Sequence, residues 1–211
     1  ILFEIHGLPM IEHVRRRALL SKELDDLIVA TCDAEIANAI ESYGGKVIMT
    51  SNSHKNGTSR ASEVIEDYDC SHVLVLQGDE PLLLPNHIDT MIKSMRKAPH
   101  KDAWNATGGI NAEEELNLHS FVKCALGKDN QILHCFRKTP YFSTLATQQN
   151  FVRKILGIIA YRKDFLLMLN KLTESEIESA EFIEQMRIIE NNLKSLFRSF
   201  AFRLSYMQAY N

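Results

Sequence analysis

The chain has 211 residues, 45% hydrophobic and 24% charged, with a formal net charge of −3. This is a globular composition with ample material for a core, and it excludes disordered, collagen-like and disulfide-scaffold classes. The balanced charge leaves no electrostatic footprint for nucleic acid, and no apolar run approaches the ~20 residues that membrane insertion needs.

Residues 9–20 predict a helix with Met10, Ile11, Val14 and Ala18 on one face. Residues 27–31 are a short β-branched run, read as a buried strand. Asp33 then stands where a helix through Tyr43 needs its cap, with Ile36, Ile40 and Tyr43 inward and Gly44-Gly45 ending it. A strand at 47–50 and a polar loop at 51–57 lead into a helix at 58–68, with Ala61, Val64, Ile65 and Tyr68 inward. Residues 73–76 form a third buried strand, closed by Gln77-Gly78-Asp79-Glu80-Pro81, and 85–96 return to helix. This alternation predicts βαβ units and a parallel sheet.

Beyond residue 100 the pattern changes. A strand at 103–110 precedes a hairpin of 121–126 and 131–136, joined by Gly127-Lys128-Asp129-Asn130. An apolar run at 155–161, helices at 164–171 and 178–191, and a last strand at 202–206 complete the reading. The aromatic cluster Phe197, Phe200 and Phe202 is assigned to the core. The four cysteines, Cys32, Cys70, Cys124 and Cys135, show no CxxC or metal-ligand spacing, so buried or half-buried free thiols are expected. The fold class is α/β: a mostly parallel, Rossmann-like sheet flanked by helices, with a smaller β-rich lobe, all within a single domain.

Ligands of open parallel sheets bind outside the carboxyl ends of the strands. Asp79-Glu80 follows the most apolar strand, and acids there suit Mg²⁺, which takes a carboxylate or two plus substrate phosphate oxygens. The same residues also fit a solvated turn. His54-Lys55-Asn56-Gly57-Thr58-Ser59-Arg60 brings free backbone N–H groups and basic side chains to a helix start, which suits an anion or simply an ordinary capped helix. Glu178, Glu181 and Glu184, with Gln185 and Arg187, would drift round one side of a helix, either into a pocket or as a solvated face. Lys123 and Arg137 on neighbouring hairpin strands could meet and bind a carboxylate or phosphate.

Taken in order, these stretches carry a resemblance. Gly7-Leu8-Pro9-Met10-Ile11-x-His13-Val14 looks like G-K-P-M-I-x-H-V, and His54-x-x-Gly57-Thr58-x-Arg60-x-x-Glu63-Val64 like H-x-S-G-T-x-R-x-x-E-V. Gln77-Gly78-Asp79-Glu80-Pro81 matches Q-G-D-E-P, the most specific stretch. Val122-Lys123, Ile132-Leu133 with Arg137, Gly157-Ile158-x-Ala160-Tyr161-Arg162, and the 178–187 stretch continue without a break. Over nearly its whole length the chain resembles the 3-deoxy-manno-octulosonate (Kdo) cytidylyltransferases and, more distantly, the CMP-sialic acid synthetases.

The resemblance implies a nucleotidyltransferase-type fold and the reaction CTP + Kdo → CMP-Kdo + diphosphate, for lipopolysaccharide precursor synthesis in the cytoplasm. It implies that Asp79 holds Mg²⁺ and is catalytic with Lys123 and Arg137. His54, Gly57, Thr58, Arg60 and Gln77 would contact the nucleotide. Tyr161, Glu181, Glu184 and Gln185 would line the side that takes the 3-deoxy-2-ulosonic sugar acid. Residues 1–100 become the nucleotide-binding part and 101–211 a sugar-binding and dimerisation lobe of a homodimer.

Members of the family carry a strand and triphosphate loop before the position matching Ile1, and a segment like V-D-T-P-E-D after that matching Asn211. Leu8 stands where the family has lysine, and Ile155 and Ile159 replace polar or aromatic residues near the sugar. These departures keep open 8-amino-Kdo or a nonulosonic acid as substrate, and a catalytically silent nucleotide- or sugar-binding homologue.

Overall fold

The computed structural model describes residues 1–193 and 197–201; the strand expected at 202–206, with Phe202, lies outside the described residues. In chain order come β1 (Glu4–Ile5), β2 (Leu8–Pro9), α1 (Met10–Ala18), β3 (Val29–Thr31), α2 (Ala34–Ser42), β4 (Val47–Met49), α3 (Gly57–Glu66), β5 (His72–Leu76) and α4 (Pro85–Lys97). Then follow β6 (Ala103–Gly108), α5 (Glu113–Asn117), β7 (Lys123–Leu126), β8 (Ile132–Phe136) and α6 (Leu145–Gln148). The described chain ends with β9 (Val152–Arg162), α7 (Lys163–Asn170), α8 (Glu176–Glu181), α9 (Met186–Glu190) and β10 (Phe197–Ala201). The chain divides into two compact units, Ile1–Ala98 with Ala160–Lys171, and Pro99–Ile159 with Leu172–Asn211.

In the first unit β3 and β4 pair in parallel, Val29 opposite Val47 and Thr31 opposite Met49. Asp33 caps α2 by accepting from the Glu35 N–H at 2.8 Å. Gly44, at φ +72, takes the left-handed conformation that ends the helix. Tyr43 is exposed, contrary to expectation, because the helix stops at Ser42 and Tyr43 leaves helical geometry (φ −98, ψ 13). Ala37 and Ile40 carry the buried face instead, and the Arg16 guanidinium sits 5.3 Å over the Tyr43 ring. Residues 73–76 are half-buried rather than buried. Among the described residues β3 and β4 pair only with each other, and β5 pairs with β9, whose last residues belong to this unit.

The turn after β5 packs against α1 at Gly78. A Cβ on Gly78 would lie 3.2 Å from Ile1 Cδ1 and 3.4 Å from Ile11 Cδ1. Ile11, Val14 and Ala18 form the buried stripe of α1, and Ile11 is the member of it that faces Gly78.

In the second unit the strands run β10-β6-β9-β7-β8. β10 is parallel to β6, and β7 is antiparallel to both β8 and β9. The expected hairpin turns through Asp129 and Asn130, both at positive φ (58 and 57), a conformation these residue types tolerate. All of β6 is buried. Cys124 lies opposite Cys135, both as buried free thiols, whereas Cys32 is exposed, which the sequence did not predict.

The expected helix at 178–191 is two helices. α8 ends at Phe182 in the left-handed conformation (φ 54, ψ 47), and α9 starts at Met186. The cause is electrostatic. Glu178 takes Arg187 in a bidentate pair at 2.8 and 2.6 Å, although nine residues of straight helix would hold them about 13 Å apart. Glu190 returns to the start of α8, accepting from the Ser175 hydroxyl at 2.6 Å and from the N–H groups of Ile177 and Glu178 at 3.0 and 3.1 Å.

Among the described residues no helix is long and apolar enough to cross a membrane. Phe197 is fully buried in β10, a strand that the sequence pattern left unassigned. Phe197→Ala is expected to lower stability by ~3–5 kcal/mol in denaturant titrations, whereas a loss under ~1 kcal/mol would mean that β10 does not pack against β6.

Candidate functional site

The first unit gathers the residues expected at the nucleotide. Arg60, in the first turns of α3, reaches past the carboxyl ends of β3 and β4. Its Nη1 donates to the Thr50 hydroxyl and the Ser51 carbonyl (3.4 Å for the latter), and Nη2 lies 3.6 Å from Cys32 Sγ. His54 Nε2 hydrogen-bonds the Glu63 carboxylate, which also accepts from the Ser51 N–H at 3.2 and 3.1 Å. That His54 bond and then the Ser51 N–H hold the Glu63 carboxyl below the usual carboxylate range. Asn56 caps α3 by accepting from the Ser59 N–H at 2.8 Å. This leaves the N–H-rich turn at Gly57 and Thr58 set by side chains on both flanks.

Thr58 is buried, its Oγ1 3.3 Å from the hydroxyl of Tyr161. Tyr161, expected on the sugar side, thus belongs to the first unit and is 1% exposed. Gln77 and Asp79 are exposed on the loop after β5. Among the described residues no three His, Cys, Asp or Glu side chains converge as a metal site. Mg²⁺ asks for less than that when a substrate's phosphates complete its shell, and the exposed Asp79 carboxylate is a fitting hard oxygen donor.

The second unit gathers the other set. Lys123 is fully buried in β7, and its ammonium donates to the carbonyls of Glu115 (3.1 Å) and Leu118 (2.6 Å). Burial, and then the neighbouring Arg137 guanidinium, pull its pKa down to about 8, with Glu115 opposing. Arg137 follows β8 and donates to the carbonyls of Glu181 (2.7 Å), His119 (2.8 Å) and Phe182 (3.1 Å). The two cations are electrostatic neighbours, as the hairpin predicts, but both are held by backbone carbonyls. Gln185 is buried and donates to Asn105 Oδ1 at 3.1 Å. Glu181 and Glu184 flank the break between α8 and α9, so they do not line one side of a single helix. Glu178, from the same acidic stretch, is committed to Arg187.

Two residues of consequence went unassigned in the sequence. Glu63 orients His54, and its place three residues after Arg60 puts both on one side of α3. Asn105 donates to the carbonyls of Ala106, Leu156 and Ile158 (2.9, 3.2 and 3.3 Å) while accepting from Gln185. An amide inside the otherwise weakly polar run at 103–108 was its only signal.

Comparison with known proteins gives a consistent picture. A family model described as cytidylyltransferase matches residues 1–195. The 3-deoxy-manno-octulosonate cytidylyltransferase of Escherichia coli is 35% identical over 188 residues, covering 89% of this chain and 76% of that one. The 8-amino-3,8-dideoxy-manno-octulosonate cytidylyltransferase of Shewanella pealeana is 37% identical over 197 residues, covering 92% and 80%. Among solved structures, a CMP:2-keto-3-deoxy-manno-octonic acid synthetase complexed with CTP superposes with a TM-score of 0.87 at 34% identity, covering 96% of this chain and 82% of that one. A 4-diphosphocytidyl-2C-methyl-D-erythritol synthase from Anaerococcus prevotii shares the fold, with a TM-score of 0.64 at 14% identity, covering 94% and 78%.

The buried Lys123 has a thermodynamic consequence. Between its folded pKa of about 8 and the ordinary 10.5, the unfolded chain binds more protons than the folded one. The Lys123 contribution to stability therefore rises with pH from about 8 and is lost as pH falls through that value, while above about pH 9 the buried Cys124 and Cys135 thiols, whose pKa values burial raises, act in the opposite direction. Urea titrations between pH 7.5 and 8.5, below the range of the thiols, are expected to show a more positive slope in the wild type than in Lys123→Met; an identical slope in the variant would remove Lys123 as the titrating group.

Proposed function

The chain belongs to the cytidylyltransferase family, and from that premise we propose that it transfers CMP from CTP to the anomeric hydroxyl of Kdo, releasing diphosphate. The observation that carries this reading is the whole-chain likeness, in sequence and fold together, to a synthetase of that sugar nucleotide holding CTP. In the reaction an oxygen–phosphorus bond forms at the α-phosphorus as the α–β anhydride bond breaks, and the hydroxyl gives up its proton. Such a transfer needs positioning and positive charge more than covalent help from the protein.

The residues divide accordingly. The Gly57–Thr58 turn, Arg60, His54 and Gln77 take the nucleotide, with Tyr161 fixing Thr58 from below and Glu63 orienting His54. Asp79 would hold Mg²⁺, and the bound ion supplies charge neutralisation for the triphosphate. Lys123 and Arg137 supply positive potential for the sugar acid's carboxylate, and Glu181, Glu184 and Gln185 take its hydroxyls. The enzyme works in the cytoplasm as a homodimer and feeds lipopolysaccharide precursor synthesis. The free cysteines are in keeping with a reducing compartment. A second reading, the same reaction on 8-amino-Kdo, is supported by the likeness to the Shewanella enzyme, as the first is by the likeness to the Escherichia coli one.

Diphosphate release by the full-length protein with CTP, Mg²⁺ and each sugar acid tests the proposal. A higher kcat/KM is expected for Kdo; a preference for 8-amino-Kdo selects the second reading. No release with any 3-deoxy-2-ulosonic acid would leave a silent homologue. Asp79→Asn is expected to lower kcat by about 10²-fold or more with an unchanged circular dichroism spectrum, and wild-type turnover would remove Asp79 from the metal site.

A further inference from the structure

The most anomalous described residue is Phe182. Its backbone is left-handed, at φ 54 and ψ 47, a conformation in which a bulky aromatic residue is a true outlier. Its side chain is 83% exposed. Folding favours neither property, since glycine would make the turn without strain and a polar side chain would meet water at lower cost. The hydrophobic anchor of the turn is the next residue, Ile183, which is 1% exposed. An exposed ring on a strained backbone is the kind of feature retained for recognition.

The surroundings say what it recognises. Arg137 grips the carbonyls on both sides of the turn, those of Glu181 and Phe182, at 2.7 and 3.1 Å. The same guanidinium reaches the His119 carbonyl at 2.8 Å, so the turn is tied to the segment that also caps the Lys123 ammonium. Glu181 precedes the ring in sequence, and Glu184 and Gln185 follow it. The Arg137 guanidinium at the turn, the half-buried carboxylates of Glu181 and Glu184 as acceptors for hydroxyls, and one presented aromatic face match a polyhydroxylated sugar acid, whose C–H face is apolar while its edge is polar.

We infer that Phe182 is a specificity-determining residue, its ring forming the apolar platform on which the sugar acid's C–H face rests while Arg137 holds the ring's backbone in place. The inference rests on the proposed reaction and extends it to a residue that no motif marks.

Steady-state kinetics of the full-length protein, with CTP and Kdo varied separately, test it on three variants. Phe182→Gly keeps the left-handed turn and removes only the ring. It is expected to raise the KM for the sugar acid about tenfold, with the KM for CTP and the melting temperature not adversely changed. Phe182→Trp is expected to restore the wild-type KM, and Phe182→Asn, which also tolerates the turn, to behave like glycine. An unchanged sugar KM in Phe182→Gly overturns the inference while leaving the reaction intact. So does a loss that appears only on dilution, together with a smaller sedimentation coefficient, because the ring would then be covered by a second copy of the chain. If the wild type itself turns over no sugar acid, the proposed reaction fails first and this inference with it.

Discussion

A buried ammonium held by carbonyls rather than by a carboxylate sets much of the second unit. Lys123 is removed from water on β7, where an uncompensated charge is costly. The segment from Glu115 to His119 therefore wraps back to offer it the carbonyls of Glu115 and Leu118. The nearby carboxylate of Glu115 is itself occupied, by Lys154 at 2.7 Å and by the Asn111 N–H at 2.7 Å. Arg137 finds the same solution, binding three carbonyls from two separate segments. The result is a pair of neighbouring positive charges held by neutral partners.

The second unit also carries ion pairs away from Lys123. Glu178 and Arg187 form a nearly buried bidentate pair, and Glu190 closes on the start of α8. Burial tends to raise the Glu190 pKa, but the Ile177 N–H, the Ser175 hydroxyl and the Glu178 N–H outweigh it and leave it lowered. These contacts fold the 175–190 segment back on itself. The break at Phe182 and the placement of Glu184 and Gln185 follow from that fold-back, and Asn105 secures Gln185 to β6.

The first unit is simpler in principle. Parallel strands leave their carboxyl ends open, and a helix starting after a polar loop offers unpaired N–H groups. Arg60 and the His54–Glu63 pair brace the loops around that helix start. The loop bearing Asp79 lies against Ile11 at Gly78. Here local chemistry and the position of the candidate site coincide, because each device acts within a few residues of its own element.

That difference in range separates what was legible from what was not. The sequence by itself determined the family, the α/β class, the Asp33 cap, the β7–β8 hairpin and the candidate loops after β4 and β5. These depend on spacing, caps and turn residues, whose physics is local. The tertiary structure alone decided that the helix at 178–191 breaks, since the partners Glu178 and Arg187 can meet only if it does. It alone showed that Tyr161 lies under Thr58, 103 residues away in sequence. Likewise, only the packed sheet makes Asn105 a crosslink rather than a polar interruption. Those outcomes turn on desolvated charges and amides finding partners across the chain, and no periodic pattern records which partner a buried polar group will find.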